Sequence, residues 1–366
     1  MDAYKQLSFF KDEFEERNCK DIGISNESDE MKAISQRVYN LFGEMEFKYA
    51  IILKWIDSIY KSLEDLVPKE KIEFNEIEEK IAIQCELVCV SICNGINWDY
   101  LRKAIYAKVL ENPNWVSLNH LISIKEDEIY ELFMDYPKKE KINPAERCKL
   151  IKNLASTYKN NGFNEIFYNS KGEPQDYFSI RKKLLECEVF SQDAVEKKLQ
   201  LFLMRLSFYN GFEKIKNKCQ PTVDYHIIRS FTRRGFLIIK NDMAKEFIVG
   251  KSVHNENTIA AIRQHCANII KKIGETVNLS ILDLNQIEWW FGRSICKENT
   301  PDCFLNLPTS NWLKNVYEKC PFFEYCLASQ NDRYIQLTLE GYDNNEDDGT
   351  INLKELNSPN YEGNSF

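Results

Sequence analysis

An all-α fold is the architecture this sequence predicts. Gly (13) and Pro (10) are scarce in 366 residues. Apolar residues recur at helical spacing between charged ones, and runs of alternating β-branched residues are almost absent. The length allows one large or two modest domains, and 43% hydrophobic residues can build a core.

The elements follow in order. The first segment, 1–78, carries a charged patch at 12–16, a polar break at 25–29 and an amphipathic stretch from Ala33 to Leu63, which predicts a helical extension. Ile72 to Val90 predicts the next helix, Asn94-Gly95 a turn, and Trp98, Leu101 and Ile105 a restart of helical period. After the break at Asn112-Pro113-Asn114, one helix is expected over Leu118–Leu132. Another runs from Pro144, a first-turn proline, to Lys159, with Gly162 as its left-handed cap. Further helices are expected at 176–187, 193–208, 224–234, 257–273 and 280–292. The acidic stretch after Tyr342 lacks apolar anchors and is expected to be disordered.

A net charge of -8 argues against coating nucleic acid by bulk charge. Locally the sign reverses: residues 181–240 hold thirteen Lys and Arg against six Asp and Glu, a balance of +7. That density fits a phosphate-binding face. Met1 to Phe10 has no basic region leading into an apolar run, and no stretch approaches 18 uninterrupted apolar residues, so the expectation is a cytoplasmic protein away from membranes.

Twelve cysteines in a reducing compartment divide into buried apolar residues and metal or cluster ligands. Four fall close together: Cys296, six residues, Cys303, sixteen residues, Cys320, five residues, Cys326. Four thiolates satisfy tetrahedral zinc or a cubane iron-sulfur cluster, and ligand type alone does not separate the two. The segment from Trp290 through Gly292-Arg293 to Cys303, closing with Cys320-Pro-Phe-Phe-Glu-Tyr-Cys326, resembles the iron-sulfur loop of the endonuclease III family. That resemblance implies a 4Fe-4S cluster on Cys296, Cys303, Cys320 and Cys326, with zinc the less favoured occupant. The outer spacings agree with the family; sixteen residues stand where it has two, so Phe304–Lys319 reads as an insertion.

Upstream, Val223-Asp224-Tyr225-His226-Ile227-Ile228-Arg229 resembles the Val-Asp-Thr-His-hydrophobic-hydrophobic-Arg signature of helix-hairpin-helix DNA glycosylases, with Tyr225 in place of the small residue. Read alone, Asp224 is an ordinary helix N-cap. The resemblance implies that it is the catalytic carboxylate, facing a flipped nucleotide and stabilising positive charge on the sugar or activating water. His226, two residues on, is expected on another helix face in a packing or hydrogen-bonding role. Arg229, Arg233 and Arg234 are candidates for phosphate contact, with solvated helix-end cations the alternative.

The family's glycine-bearing hairpin should fall at Glu188–Lys198, where neither glycine is present; Ser191 or Asp193 is expected to cap the next helix instead. Lys197 or Lys198 could stand at the family's Schiff-base position, Lys198 being the candidate nucleophile and Lys197 a DNA contact. Lys214, Lys216 and Lys218 are expected near the mouth of the site. Trp98, Tyr100, Trp115 and Tyr209 are candidates for stacking on an extruded base.

The resemblance, over roughly residues 80–330, implies a helical extension (1–78), a glycosylase-like domain of the helix-hairpin-helix (HhH-GPD) type (79–292), an iron-sulfur loop (293–330) and an acidic tail (331–366). It implies a monomeric DNA N-glycosylase acting on double-stranded DNA that contains a modified base, a hypermodified phage base being one option, and hydrolysing the bond with water rather than by lyase chemistry. Two other readings stay open: a non-catalytic DNA- or partner-binding module that keeps the fold and cluster, and a zinc-stapled helical scaffold.

Overall fold

The computed structural model describes residues 59–61, 63–64, 77–237, 253–254, 256–297, 320–323, 326 and 360–361. The chain is all-α. Most of the expected stretch 33–63, the Cys303 loop segment and most of the tail lie outside the described residues. Among the described residues, no helix is long and apolar enough to cross a membrane.

Helix α1 (Glu79–Ser91) is followed by α2 (Trp98–Glu111), which starts where Asn97 accepts the Tyr100 N–H at 3.0 Å. The single helix expected over Leu118–Leu132 is two, α3 (Leu118–Ser123) and α4 (Glu126–Leu132). The break has a local cause. Ser123 turns its hydroxyl back onto the Asn119 and His120 carbonyls, Ile124 leaves helical geometry, and Glu128 accepts the Lys125 N–H. Glu126, Asp127 and Glu128 then place three carboxylates on the positive end of the new helix.

Helix α5 (Pro144–Thr157) begins at its proline as expected, and Gly162 adopts φ 78° beyond its end. Short α6 (Asn164–Phe167) precedes α7 (Tyr177–Leu184), capped by Asp176, and then comes the four-residue α8 (Glu188–Ser191). Helix α9 (Lys197–Leu206) starts four residues later than its expected bound, because Asp193 accepts the Val195 and Lys197 N–H groups at 3.2 and 2.9 Å, and Glu196 takes a left-handed φ of 52°. The three remaining helices are α10 (Tyr225–Arg234), α11 (Glu256–Val277) and α12 (Ile281–Ser294). The tail is not wholly without structure: β2 (Asn360–Tyr361) pairs in parallel with β1 (Val253–His254). Backbone pairing needs no apolar anchor, which is why composition did not announce it.

The buried apolar side chains separate into two clusters. The first is built mainly by α1 to α9, with Leu282 of α12; the second by α10, α11 and the rest of α12 together with Tyr60, Leu63 and Phe322. The stretch expected as one domain, 79–292, therefore has two cores that meet near residue 220, and the helical turn around Tyr60 belongs to the second. We call these the first and second lobes.

Each lobe is pinned by buried charge. In the first, Glu86 is fully buried and accepts from Arg102 and Arg205 at 2.9 and 2.8 Å. Burial alone would protonate it, but Arg205 and Arg102 hold its carboxyl below the ordinary range. Arg147 caps the loop carbonyls of Ile92, Asn94 and Ile142. In the second lobe, Arg234 pairs with buried Glu288 and is ringed by Phe231, Phe236, Phe291 and Phe322 at 4.5 to 5.1 Å.

Removing one partner of a buried ion network leaves uncompensated charge in a low dielectric. Glu86→Ala is expected to cost roughly 3–5 kcal/mol in urea unfolding; a loss below about 1 kcal/mol would mean that the Arg102 and Arg205 charges are relieved by solvent.

Candidate active site

A cleft of about 1040 Å³ opens between the lobes, and Asp224, Tyr225, His226, Lys197 and Trp289 all line it. The site starts with a short extended segment, 220–223, that carries the chain from one core to the other. Its last two residues and Asp224 directly after them are held by long-range partners. Thr222 gives its N–H to Asn285 Oδ1 at 2.8 Å; the Val223 carbonyl accepts from Arg263 Nε at 3.2 Å; the Asp224 Oδ2 accepts from the Trp289 indole N–H at 3.0 Å. Arg263 also grips Asp193 with two bonds of 2.9 and 2.8 Å, so the turn before α9 and the start of α10 share one anchor.

Asp224 caps α10 as its sequence position predicts. Its Oδ1 accepts the His226 and Ile227 N–H groups at 2.9 and 3.2 Å. Burial opposes ionisation, but His226, Lys197, the Ile227 N–H and Arg229 outweigh it and hold the carboxyl below its ordinary range. Asp224 is therefore a carboxylate at neutral pH.

His226 shares the cleft with Asp224, which corrects the expectation of a separate face. Its Nδ1 lies 3.0 Å from Arg229 Nη2. A guanidinium only donates, so Nδ1 accepts and the neutral ring carries its proton on Nε2. Burial lowers the His226 pKa from 6.5 to about 4; Asp224 pulls the other way, while Arg229, Arg293 and Lys197 add to the lowering. With His226 neutral at pH 7, Lys197 is the principal cation acting on Asp224.

The two neighbouring lysines part company. Lys198 is buried and its Nζ donates to the Ser91 carbonyl at 2.9 Å, inside the first lobe. Lys197 lines the cleft. Burial lowers its ammonium pKa, opposed by Asp224 and reinforced by Arg263. The lysine that faces the carboxylate is thus Lys197, and the assignment of nucleophile to Lys198 is corrected on that ground.

Arg229, Arg233 and Arg234 are interior residues, not phosphate contacts. Arg229 donates to the Gly292 and Cys296 carbonyls at 2.8 and 3.1 Å, Arg233 to the Cys296 and Lys297 carbonyls, and Arg234 to Glu288. With Lys198 and Arg205, five of the thirteen cations behind the local positive balance are buried. The cations lining the cleft are Lys138, Lys141, Lys197, Lys216 and Arg293, with the buried Arg205 at its floor. Lys216 lies 3.5 Å from Asp283, whereas Lys214 and Lys218 are exposed outside the lining.

Of the aromatic candidates, Trp98 and Tyr100 line the cleft; Trp115 and Tyr209 are buried in the first core. Sequence reasoning passed over Tyr136, Asn285, Trp289 and Arg293, which also line it. The last three recur every fourth residue along α12 and so share one helix face, and that period was the available signal.

At the far side of α10, Cys296 and Cys326 are buried in the second core and Cys320 packs against it. Arg233 touches two of them: its Nη1 is 3.7 Å from Cys296 Sγ, and its carbonyl accepts from Cys326 Sγ at 3.2 Å. None of the three forms a disulfide among the described residues. Among the described residues no group of three His, Cys, Asp or Glu side chains has a metal-binding arrangement, and Cys303 lies outside those residues. Thiols are soft donors of the kind a thiolate-bound metal or cluster would use.

Gly292 explains how α12 reaches this site. A Cβ there would overlap the His226 carbonyl, so only glycine lets α12 lie against the first turn of α10. Gly292→Ala is expected to cost about 1–3 kcal/mol and to shift the His226 ring resonances; an unperturbed His226 spectrum would contradict this packing.

His226 and His265 are both held neutral by burial, with pKa values lowered to about 4. Below 6.5 the unfolded chain takes up protons that the folded chain refuses until about pH 4, so stability falls as pH drops through that window. Replacing both by Asn should shrink the loss of unfolding free energy between about pH 7 and about pH 5; an unchanged loss would assign it to carboxylates.

No protein-family model matches this chain, and no curated protein matches it.

Proposed function

We propose that this chain is a DNA N-glycosylase of the helix-hairpin-helix type that draws a modified base into the interlobe cleft and cleaves its N-glycosidic bond. The observation that carries the reading is the Asp224 carboxylate, kept ionised and rigidly held in a cleft lined by aromatic rings and lysines. Departure of a base leaves an oxocarbenium-like sugar, and a fixed anion in a poorly hydrated site stabilises that charge without reorganising at the moment of reaction. Trp98, Tyr100 and Tyr225 offer flat faces for an extruded base, and Lys138 and Lys141 lie at the lining where phosphate charge would approach. A cleft of about 1040 Å³ admits a base with a bulky substituent, in keeping with a modified or hypermodified target. Cys296, Cys303, Cys320 and Cys326 would hold a 4Fe-4S cluster, which would tie the chain after α12 to itself beside Arg233 of α10.

The test uses duplex DNA carrying a range of modified bases. Wild type is expected to generate abasic sites and Asp224→Asn to lose at least roughly 100-fold in rate. Equal rates for both proteins would remove the catalytic reading, and binding with no base release would favour a non-catalytic DNA-binding module.

Lys197 supports a second reading of the chemistry. A lysine with a lowered pKa beside an anion can attack the anomeric sugar carbon as a free amine while the base leaves with the electrons of the N-glycosidic bond; opening of the sugar ring then gives a Schiff base that continues to strand cleavage. Borohydride should then trap wild type on substrate DNA and not Lys197→Ala. Absence of trapping in wild type, with base release retained, leaves water as the nucleophile.

A further inference from the structure

We infer that Trp289 is a positioning residue for the Asp224 carboxylate, held in place by Arg293 and Asp99 from across the cleft. The inference rests on the glycosylase reading of Asp224 and goes beyond it to the group that fixes the carboxylate's orientation.

The capping bonds settle only one oxygen. Oδ1 is tied to two backbone amides, but the terminal torsion of an aspartate is broad, and those bonds leave the tilt of the carboxylate plane soft. The Trp289 indole N–H, 3.0 Å from Oδ2, defines that plane. An indole nitrogen only donates, so it stabilises the ionised form and cannot take up a proton. With three donors on two oxygens, Asp224 is suited to act through charge rather than as a base.

The indole is itself fixed. Arg293, one turn further along α12, lies 4.8 Å from the Trp289 ring centre, and its Nη2 donates to Asp99 Oδ2 at 2.8 Å. Asp99 is on α2, in the first lobe; Asp224, Trp289 and Arg293 belong to the second. A cation over an indole face withdraws electron density and strengthens its N–H as a donor. The connected set Asp99, Arg293, Trp289, Asp224 therefore makes the orientation of the carboxylate depend on the closeness of the lobes. Trp290 packs edge-on against Trp289 at 5.6 Å and limits its rotation. The other charged groups near the carboxylate are Lys197 on α9 and His226 and Arg229 on α10.

The experiment replaces Trp289 by Phe, which keeps the ring and removes the donor. On a DNA substrate that wild type processes, Trp289→Phe should lower kcat on the order of 10-fold while leaving KM nearly unchanged. Its acid limb should move up by about one pH unit, since the lost donor favoured ionised Asp224. In ¹⁵N-indole spectra recorded without DNA, the signal missing from Trp289→Phe should titrate in wild type with that acid limb and shift in Asp224→Asn. A Trp289 signal indifferent to Asp224→Asn overturns the inference. So does a Trp289→Phe enzyme with wild-type kcat and acid limb. If wild type processes no DNA, the function proposed above falls by itself, and the indole titration still upholds or overturns the Trp289–Asp224 coupling.

Discussion

The start of α10 is set by a carboxylate that serves the backbone and the cleft at once. A serine or threonine would satisfy the first N–H groups of a helix as well, but would bring no charge to the surface between the lobes. Asp224 spends Oδ1 on the His226 and Ile227 amides and leaves Oδ2 to face Trp289, while His226, Lys197, the Ile227 amide and Arg229 together keep the half-buried carboxylate anionic. The residues just before it are fastened by Asn285 and Arg263, so the position of the anion is inherited from both α11 and α12. Shift any one of those helices and the charge moves with it.

This arrangement gives the interface between lobes a particular character. It is crossed by pairs of opposite charge, Arg263 with Asp193 and Arg293 with Asp99, rather than by a continuous apolar seam. Arg263 and Asp193 are largely withdrawn from solvent, while Asp99 is exposed by nearly half. The inner pair is thus a fixed hinge point; the outer one is open to water and salt, and more easily broken. Widening the cleft at its mouth would part Arg293 from Asp99 and so loosen the indole that orients Asp224, while Arg263 and Asp193 stay joined.

Much of the fold could be read from local chemistry. Helices with a clear cap and a clear stop, such as those opened by Pro144 and Asp224, fall where the sequence places them, since their boundary signals lie within a turn of the boundary itself. The failures share a cause. The split between α3 and α4 depends on side chains turning back on their own backbone, and the late start of α9 on a left-handed Glu196 that no composition rule anticipates. The arginines of α10 were misplaced for a different reason: cations at the end of a helix normally seek solvent, and only the tertiary arrangement reveals that carbonyls, an anion and aromatic rings await them. Trp289 acquires meaning solely through a partner 65 positions away.

The ring of phenylalanines around Arg234 alters the standing of the segment before residue 78. Tyr60 places its hydroxyl on Glu288, beside the Arg234 guanidinium, and its ring against Phe322. A part of the chain that reads as an appendage is thus one wall of the compartment that keeps a salt bridge dry. Take that wall away and water enters beside a charge pair whose strength depends on its exclusion, in the same core that supports three of the candidate cluster thiols. The second lobe is therefore assembled from distant stretches of the chain, and its folding waits on the meeting of the early segment with α12 and the cysteine-bearing chain beyond it.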